Sequence, residues 1–245
     1  MSKPGDADLV LVPGTGAGAE ALEPLAAALG GARVFHRSGW DGGSVLPRQG
    51  YFGAHAARLI AEAAAPVALF GWSSGGFIAL HAALLDASRV RRLFLYEPPL
   101  FSRGDDDAGS RNRFLAMLGW RAVGMKARAR AAFWRMVSPR SDGGTGFDRL
   151  EPGARAALVS RDGPLLRELF AGTGEELAGR LASLGERTTV LVGGASASPA
   201  RRAAERAVGE LPGSRLVVVD GADHLAPISM PGELARAVNA CRAAG

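Results

Sequence analysis

Cysteine is nearly missing from this chain: among 245 residues only Cys241 occurs. No disulfide can form within it, which excludes a stapled secreted scaffold and favours a reducing compartment, with Cys241 as a buried structural thiol. Lysine is almost as scarce. Lys3 and Lys126 are the only two, so nearly all of the 29 basic residues are arginine. No stretch approaches the roughly 20 consecutive apolar residues that span a bilayer. Residues Met1 to Asp8 are polar, and the apolar run that follows is too short for a signal-peptide core. The expectation is a soluble, cytoplasmic protein that does not engage a membrane. The net charge is +5 and the pI about 10.3. Outside Arg121 to Arg135 the arginines are scattered, with no recognised nucleic-acid motif, so nucleic acid is not expected as a partner. No internal repeat is present.

What the chain has is a large apolar share, 47%, enough for a sizeable core, and a regular alternation of short apolar runs with helical patterns. Strands are predicted at 9–12, 33–36, 67–70, 93–96, 188–192 and 215–219. Leu9-Val10-Leu11-Val12 is continuously apolar, as a strand covered on both faces should be. Helices are predicted at 20–29, 51–64, 74–85, 199–211 and 231–242. Between about 100 and 185 the rhythm breaks. That stretch has no clear strand, an acidic Asp105-Asp106-Asp107 turn, and helical patterns at 111–118, 126–137, 153–159 and 164–170. Strands alternating with helices imply an α/β fold with a doubly wound, mostly parallel sheet. The chain reads as a single domain over 1–245, its helical segment inserted as a lid above the strand ends where such sheets bind ligands.

Three motifs follow strands. Gly71-Trp72-Ser73-Ser74-Gly75 succeeds Val67 to Phe70 and fits the tight strand-to-helix turn G-x-S-x-G, which raises a serine hydroxyl above the sheet edge in a strained backbone conformation. Val12-Pro13-Gly14-Thr15-Gly16 succeeds the first strand, and Gly221-Ala222-Asp223-His224 the last. A serine hydroxyl is a weak nucleophile until a base accepts its proton. His224 has the loop position for that base; His55 and His81 fall within helices and read as core or surface, and His36 ends a strand at the same sheet edge.

On these motifs, from Leu9 to Arg242, the chain resembles the α/β-hydrolases. The resemblance implies a serine hydrolase acting on an ester, thioester or similar acyl bond of a small molecule, with a carrier-bound acyl group as one form of substrate. Ser73 would be the nucleophile and His224 the base. Backbone N–H groups of Thr15 and Ser74 would form the oxyanion hole, Ser74 also being placed to cap the helix after the elbow. No metal or organic cofactor is implied. The sequence departs from the family twice. Pro13 stands where a histidine usually precedes the oxyanion glycine, and the loop Gly193 to Pro199, the usual seat of the acid, has no carboxylate. Some family members carry the acid after the strand that follows the elbow, and here Glu97 stands there, in Tyr96-Glu97-Pro98-Pro99. Glu97 is therefore taken as the acid ahead of Asp220, which ends a strand, and Asp223, which adjoins His224 and tends to point away.

Trp40, Trp72, Phe101, Phe114, Trp120, Phe133, Trp134 and Phe170 are candidates for an acyl pocket, most of them plain core. Arg121, Lys126, Arg128, Arg130 and Arg135 read as a solvated lid face that also suits an acidic substrate or carrier. Three other readings stand beside the hydrolase. Gly14-Thr15-Gly16-Ala17-Gly18-Ala19 fits a dinucleotide-binding turn, with Arg37 as the contact for a 2′-phosphate. The missing usual acid suits a non-hydrolytic enzyme of the same fold, catalysing cyclisation, elimination or decarboxylation. A non-catalytic small-molecule binder is the third.

Overall fold

Six parallel strands form one sheet: β1 (Leu9–Val12), β2 (Arg33–Val34), β3 (Val67–Trp72), β4 (Val90–Tyr96), β5 (Thr188–Gly193) and β6 (Arg215–Val219). The spatial order is β2-β1-β3-β4-β5-β6. The computed structural model describes residues 8–40, 43–100, 108–161, 163–172 and 175–244. Phe101 and the Asp105 to Asp107 turn lie outside the described residues.

The continuous apolar runs have a direct cause. Leu9 and Leu11 of β1 enter one core, and Val10 and Val12 enter the other, so both faces of the strand are covered. The first core packs the sheet against α1 (Glu23–Ala28), α10 (Ala226–Ser229) and α11 (Pro231–Ala243). The second packs it against α2 (Tyr51–Glu62), α3 (Gly75–Leu85) and α9 (Ser198–Glu210). Only β6, at the sheet edge, leaves large apolar side chains in the open, Leu216 and Val218. The second strand is shorter than its apolar pattern, ending at Val34, although the Phe35 N–H still donates to the Leu11 carbonyl at 2.8 Å.

Chain order reverses direction beside β1: the chain goes out to β2 and returns to β3 on the other side. Such a switch point opens a crevice at the carboxyl ends of the strands. The register Val12↔Gly71 and Trp72↔Tyr96 brings the loop after β1, the elbow after β3 and the loop after β4 to that one edge.

The stretch between β4 and β5 is helical, as its pattern predicts. It holds α4 (Ala108–Ala122), α5 (Lys126–Val137), α6 (Gly146–Arg149), α7 (Pro152–Ser160) and α8 (Leu165–Leu169). The sequence pattern does not mark α6; the Thr145 hydroxyl caps it, accepting the Asp148 N–H at 3.2 Å. Of two short antiparallel bridges, Pro139 with Thr145 closes a turn within this segment, and Arg140 with Ser196 fastens it to the loop after β5. Among the described residues no helix is long and apolar enough to cross a membrane.

Candidate active site

Two non-glycine residues among those described have positive φ, Ser73 at 54° and Glu97 at 45°. Left-handed backbone at a side-chain-bearing residue costs energy and persists only where its surroundings enforce it. Here the sheet enforces both. The Ser73 N–H donates to the Tyr96 carbonyl at 2.8 Å, and the Glu97 N–H donates to the Leu191 carbonyl at 2.9 Å. Each bond extends the ladder one residue past the strand, then the chain turns sharply upward. Glycine is required on both sides of Ser73. A Cβ at Gly71 would lie 2.6 Å from the Gly76 Cα, and one at Gly75 would lie 2.2 Å from the Val12 carbonyl oxygen.

The turn after β4 brings the Glu97 carboxylate to the His224 imidazole. Nδ1 of His224 lies 2.8 Å from Glu97 Oε2, in a pair whose side chains are about 10% and 2% exposed. A carboxylate oxygen only accepts, so Nδ1 is the donor in this pair, and in a neutral imidazole that leaves Nε2 as the acceptor. The other carboxylate oxygen of Glu97 accepts the Gly193 N–H at 2.8 Å and the Ser196 hydroxyl at 2.5 Å. Both donors come from the loop whose lack of a carboxylate the sequence displays: that loop holds the Glu97 carboxylate. On its far side His224 is fixed through its carbonyl, which accepts the Trp72 indole N–H at 2.8 Å, with the two rings 6.0 Å apart.

The loop after β1 presses against the elbow; a Cβ at Gly14 would lie 2.8 Å from the Ser73 Cβ. The Thr15 N–H donates to the Ser74 hydroxyl oxygen at 2.7 Å, and the two hydroxyls lie 2.8 Å apart. No acceptor for the Ser74 N–H is found among the described residues. Beneath the loop is a buried polar cluster that sequence reasoning missed. The Glu168 carboxylate, from α8, accepts from Arg37 Nη1 (2.5 Å), Trp40 Nε1 (2.7 Å), the Tyr51 hydroxyl (2.6 Å) and the Gly16 N–H (3.1 Å). Nη2 of Arg37 donates to the Gly14 and Ala17 carbonyls, both at 2.7 Å. Burial above all raises the Tyr51 phenol far above its ordinary pKa, keeping it a donor.

The helical segment also packs against the elbow strand and the loop after β1. Trp134 stacks on Trp72 with centroids 6.0 Å apart, and a Cβ at Gly16 would strike the Phe133 ring at 2.5 Å. Arg140 pairs with Asp223 at 2.5 Å, and the second Asp223 oxygen accepts the Leu225 N–H at 2.9 Å.

The sequence model of the alpha/beta hydrolase family matches residues 9–237. The chain belongs to that family. No sequence relative was found among curated proteins. Solved structures that resemble this hydrolase include a thermophilic esterase from Thermogutta terrifontis, with TM-score 0.70, 22% identity, and 95% of this chain and 88% of that one covered. Carboxylesterase CesB (YbfK) from Bacillus subtilis gives TM-score 0.68 and 18% identity, covering 100% and 86% of the two chains. Esterase RhEst1 from Rhodococcus sp. ECU1013 gives TM-score 0.68 and 18% identity, covering 97% and 90%.

In this hydrolase several sequence expectations need correction. Arg37 does not await a 2′-phosphate: it is 1% exposed and consumed by Glu168 and two carbonyls. Ser74 sits at the start of α3, but its hydroxyl makes no cap there and meets Thr15 instead. Arg130 is not part of a solvated face; it is 5% exposed, with its guanidinium over the Trp40 ring. Trp120 and Phe170 are exposed, whereas Trp40, Trp72, Phe133 and Trp134 are buried. Asp220 is exposed at the sheet edge, Asp223 faces Arg140 and not the His224 ring, and His55 packs in the core against Tyr51 and Phe35.

Proposed function

We propose that this protein is a serine hydrolase that cleaves an ester, thioester or similar acyl bond of a small-molecule substrate. The observation that carries the reading is the Glu97 carboxylate on Nδ1 of His224 at 2.8 Å, which leaves Nε2 facing away from the acid as a base. Ser73 Oγ attacks the acyl carbon as Nε2 takes its proton. The tetrahedral oxyanion collapses, the carbon–oxygen or carbon–sulfur bond breaks, and the imidazolium returns the proton to the leaving group. Water then repeats the sequence against the acyl-serine, restoring Ser73. The oxyanion is held by the N–H groups of Ser74 and Thr15. The latter becomes available when the Ser74 hydroxyl turns away from it.

The helical segment acts as a lid, a role supported by the Phe133 and Trp134 contacts over Gly16 and Trp72. The non-hydrolytic reading of the fold began from the acid missing at its usual place; the Glu97 contact with His224 supports the hydrolytic one. The esterases among similar structures make simple aryl esters the first substrates to try.

A fluorophosphonate probe tests the reading. Wild-type protein should be labelled on Ser73, and labelling should vanish in Ser73→Ala and His224→Ala. Folded wild-type protein that resists the probe and turns over no aryl ester or thioester would refute it.

A further inference from the structure

We propose that Glu168, reaching down from the helical segment, is a positioning residue that aims the oxyanion donor of the loop after β1; the proposal rests on the hydrolase reading above. The argument is geometric. In a trans peptide the C=O and the following N–H point in opposite directions. The Gly14 carbonyl is held by Arg37 Nη2 at 2.7 Å. The Thr15 N–H of the same peptide must therefore point the other way, towards the elbow, where it meets Ser74 Oγ at 2.7 Å. The next peptide is held as well, because the Gly16 N–H donates to Glu168 Oε2 at 3.1 Å. Two successive peptide planes are thus clamped, one through Arg37 and one by Glu168 directly.

Glu168 also holds Arg37 in place, at 2.5 Å in a pair whose side chains are 1% and 0% exposed. Without the carboxylate, Arg37 would be a buried cation facing backbone carbonyls, an arrangement that favours water entry and loop rearrangement. The charges matter in a second way. A lone buried carboxylate beneath the oxyanion loop would oppose the charge that develops there, and the Arg37 guanidinium neutralises it. Trp40 and Tyr51 add two neutral donors that keep the carboxylate from swinging out of the cluster. Since Glu168 belongs to α8 and the loop to β1, the reach of the oxyanion donor depends on the helical segment being docked. The segment then controls more than access to the crevice; it completes the donor geometry.

The test compares Glu168→Gln, the double variant Arg37→Met with Glu168→Gln, and Trp40→Phe, which leaves both charges and the loop contacts intact. Steady-state ester hydrolysis, thermal unfolding and deuterium exchange of peptides spanning residues 12–18 are read on each. For the double variant, kcat should fall about 10²-fold, the effect of removing one oxyanion donor. KM should change little, and the 12–18 amides should exchange faster while the rest of the chain stays protected. Trp40→Phe should lower kcat only severalfold. If the double variant unfolds, Glu168→Gln and Trp40→Phe carry the test, with kcat falling in the same order as loop exchange rises. Unchanged kcat with unchanged loop exchange in folded variants would overturn the proposal. So would a loss that tracks only the folded fraction. Wild-type protein with no turnover and no Ser73 labelling would sink the hydrolase reading instead, and the exchange data would still report whether the clamp exists.

Discussion

Of the ion pairs that tie the helical segment to the strand-edge loops, Arg37 with Glu168 and Arg140 with Asp223 differ in what they hold. Arg37 with Glu168 lies under the loop after β1, sealed from solvent, and its carboxylate gathers four donors, one of them a loop N–H. Arg140 with Asp223 lies beside His224, at 11% and 7% exposure, and its carboxylate is spent on Arg140 and on the Leu225 N–H. The first pair holds backbone groups of the loop proposed to supply an oxyanion donor. The second steadies the loop that carries His224 without touching the imidazole. Sequence adjacency is no guide to the imidazole's partner. Asp223 stands next to His224 and faces away, while Glu97, 127 positions earlier, meets the ring.

The sharpest way to break this comparison is to remove each carboxylate at the imidazole end. Glu97→Gln should lower kcat by about 10⁴-fold, the scale seen when a serine-protease triad loses its acid. Asp223→Asn should cost less than about tenfold, under roughly 1.4 kcal/mol of barrier. Steady-state kinetics on an aryl ester would read both, and the reverse order would move the acid to Asp223.

A smaller effect comes from cutting the outer tether alone. Arg140→Met leaves the Asp223 carboxylate buried with one N–H partner. It should lower stability by about 1–3 kcal/mol in urea unfolding, the cost of stranding a buried acceptor. kcat should change only a few fold. Unaltered stability would mean that the tether is ornamental.

The smallest effect lies at a pair outside both tethers. The Arg135 hydrogen bond, ahead of the Thr145 hydroxyl, holds the Asp148 carboxyl below its ordinary pKa. A carboxyl depressed on folding contributes stability that is present above its unfolded pKa, about 3.9, and lost as pH falls through the folded value. Asp148→Asn should therefore weaken the decline of the unfolding midpoint below about pH 4 and leave kcat near neutrality unchanged. Because both partners are about half exposed, the change should stay under roughly 1 kcal/mol. An acid limb as steep as wild type would show that the pair contributes nothing.

Much of this was readable from residues alone. The strand runs are continuous because alternate side chains enter two cores, and the elbow is marked because only glycine fits beside Val12 and Gly76. Glu97 was marked as a candidate through the resemblance, which seats an acid after β4 in some members, but the residues alone left it beside Asp220 and Asp223. Glu168 was not marked. It sits in Leu165-Leu166-Arg167-Glu168-Leu169, where one acid in a short helix looks like an exposed flank, and its partners lie 117 to 152 residues away. Ser196 left no signal either: a serine in a Gly/Ser loop is ordinary until a carboxylate is found facing it.

The chain by itself determined the sheet, the strained serine and the candidate base, because local periodicity, glycine placement and strand-end position are properties of neighbouring residues. Only the tertiary structure decided which carboxylate meets the imidazole, which arginine is consumed, and how the helical segment reaches the loop after β1. Those outcomes depend on desolvated charges finding partners across long sequence separations, and burial, which makes an unpartnered charge so costly, exists only once the layers have packed.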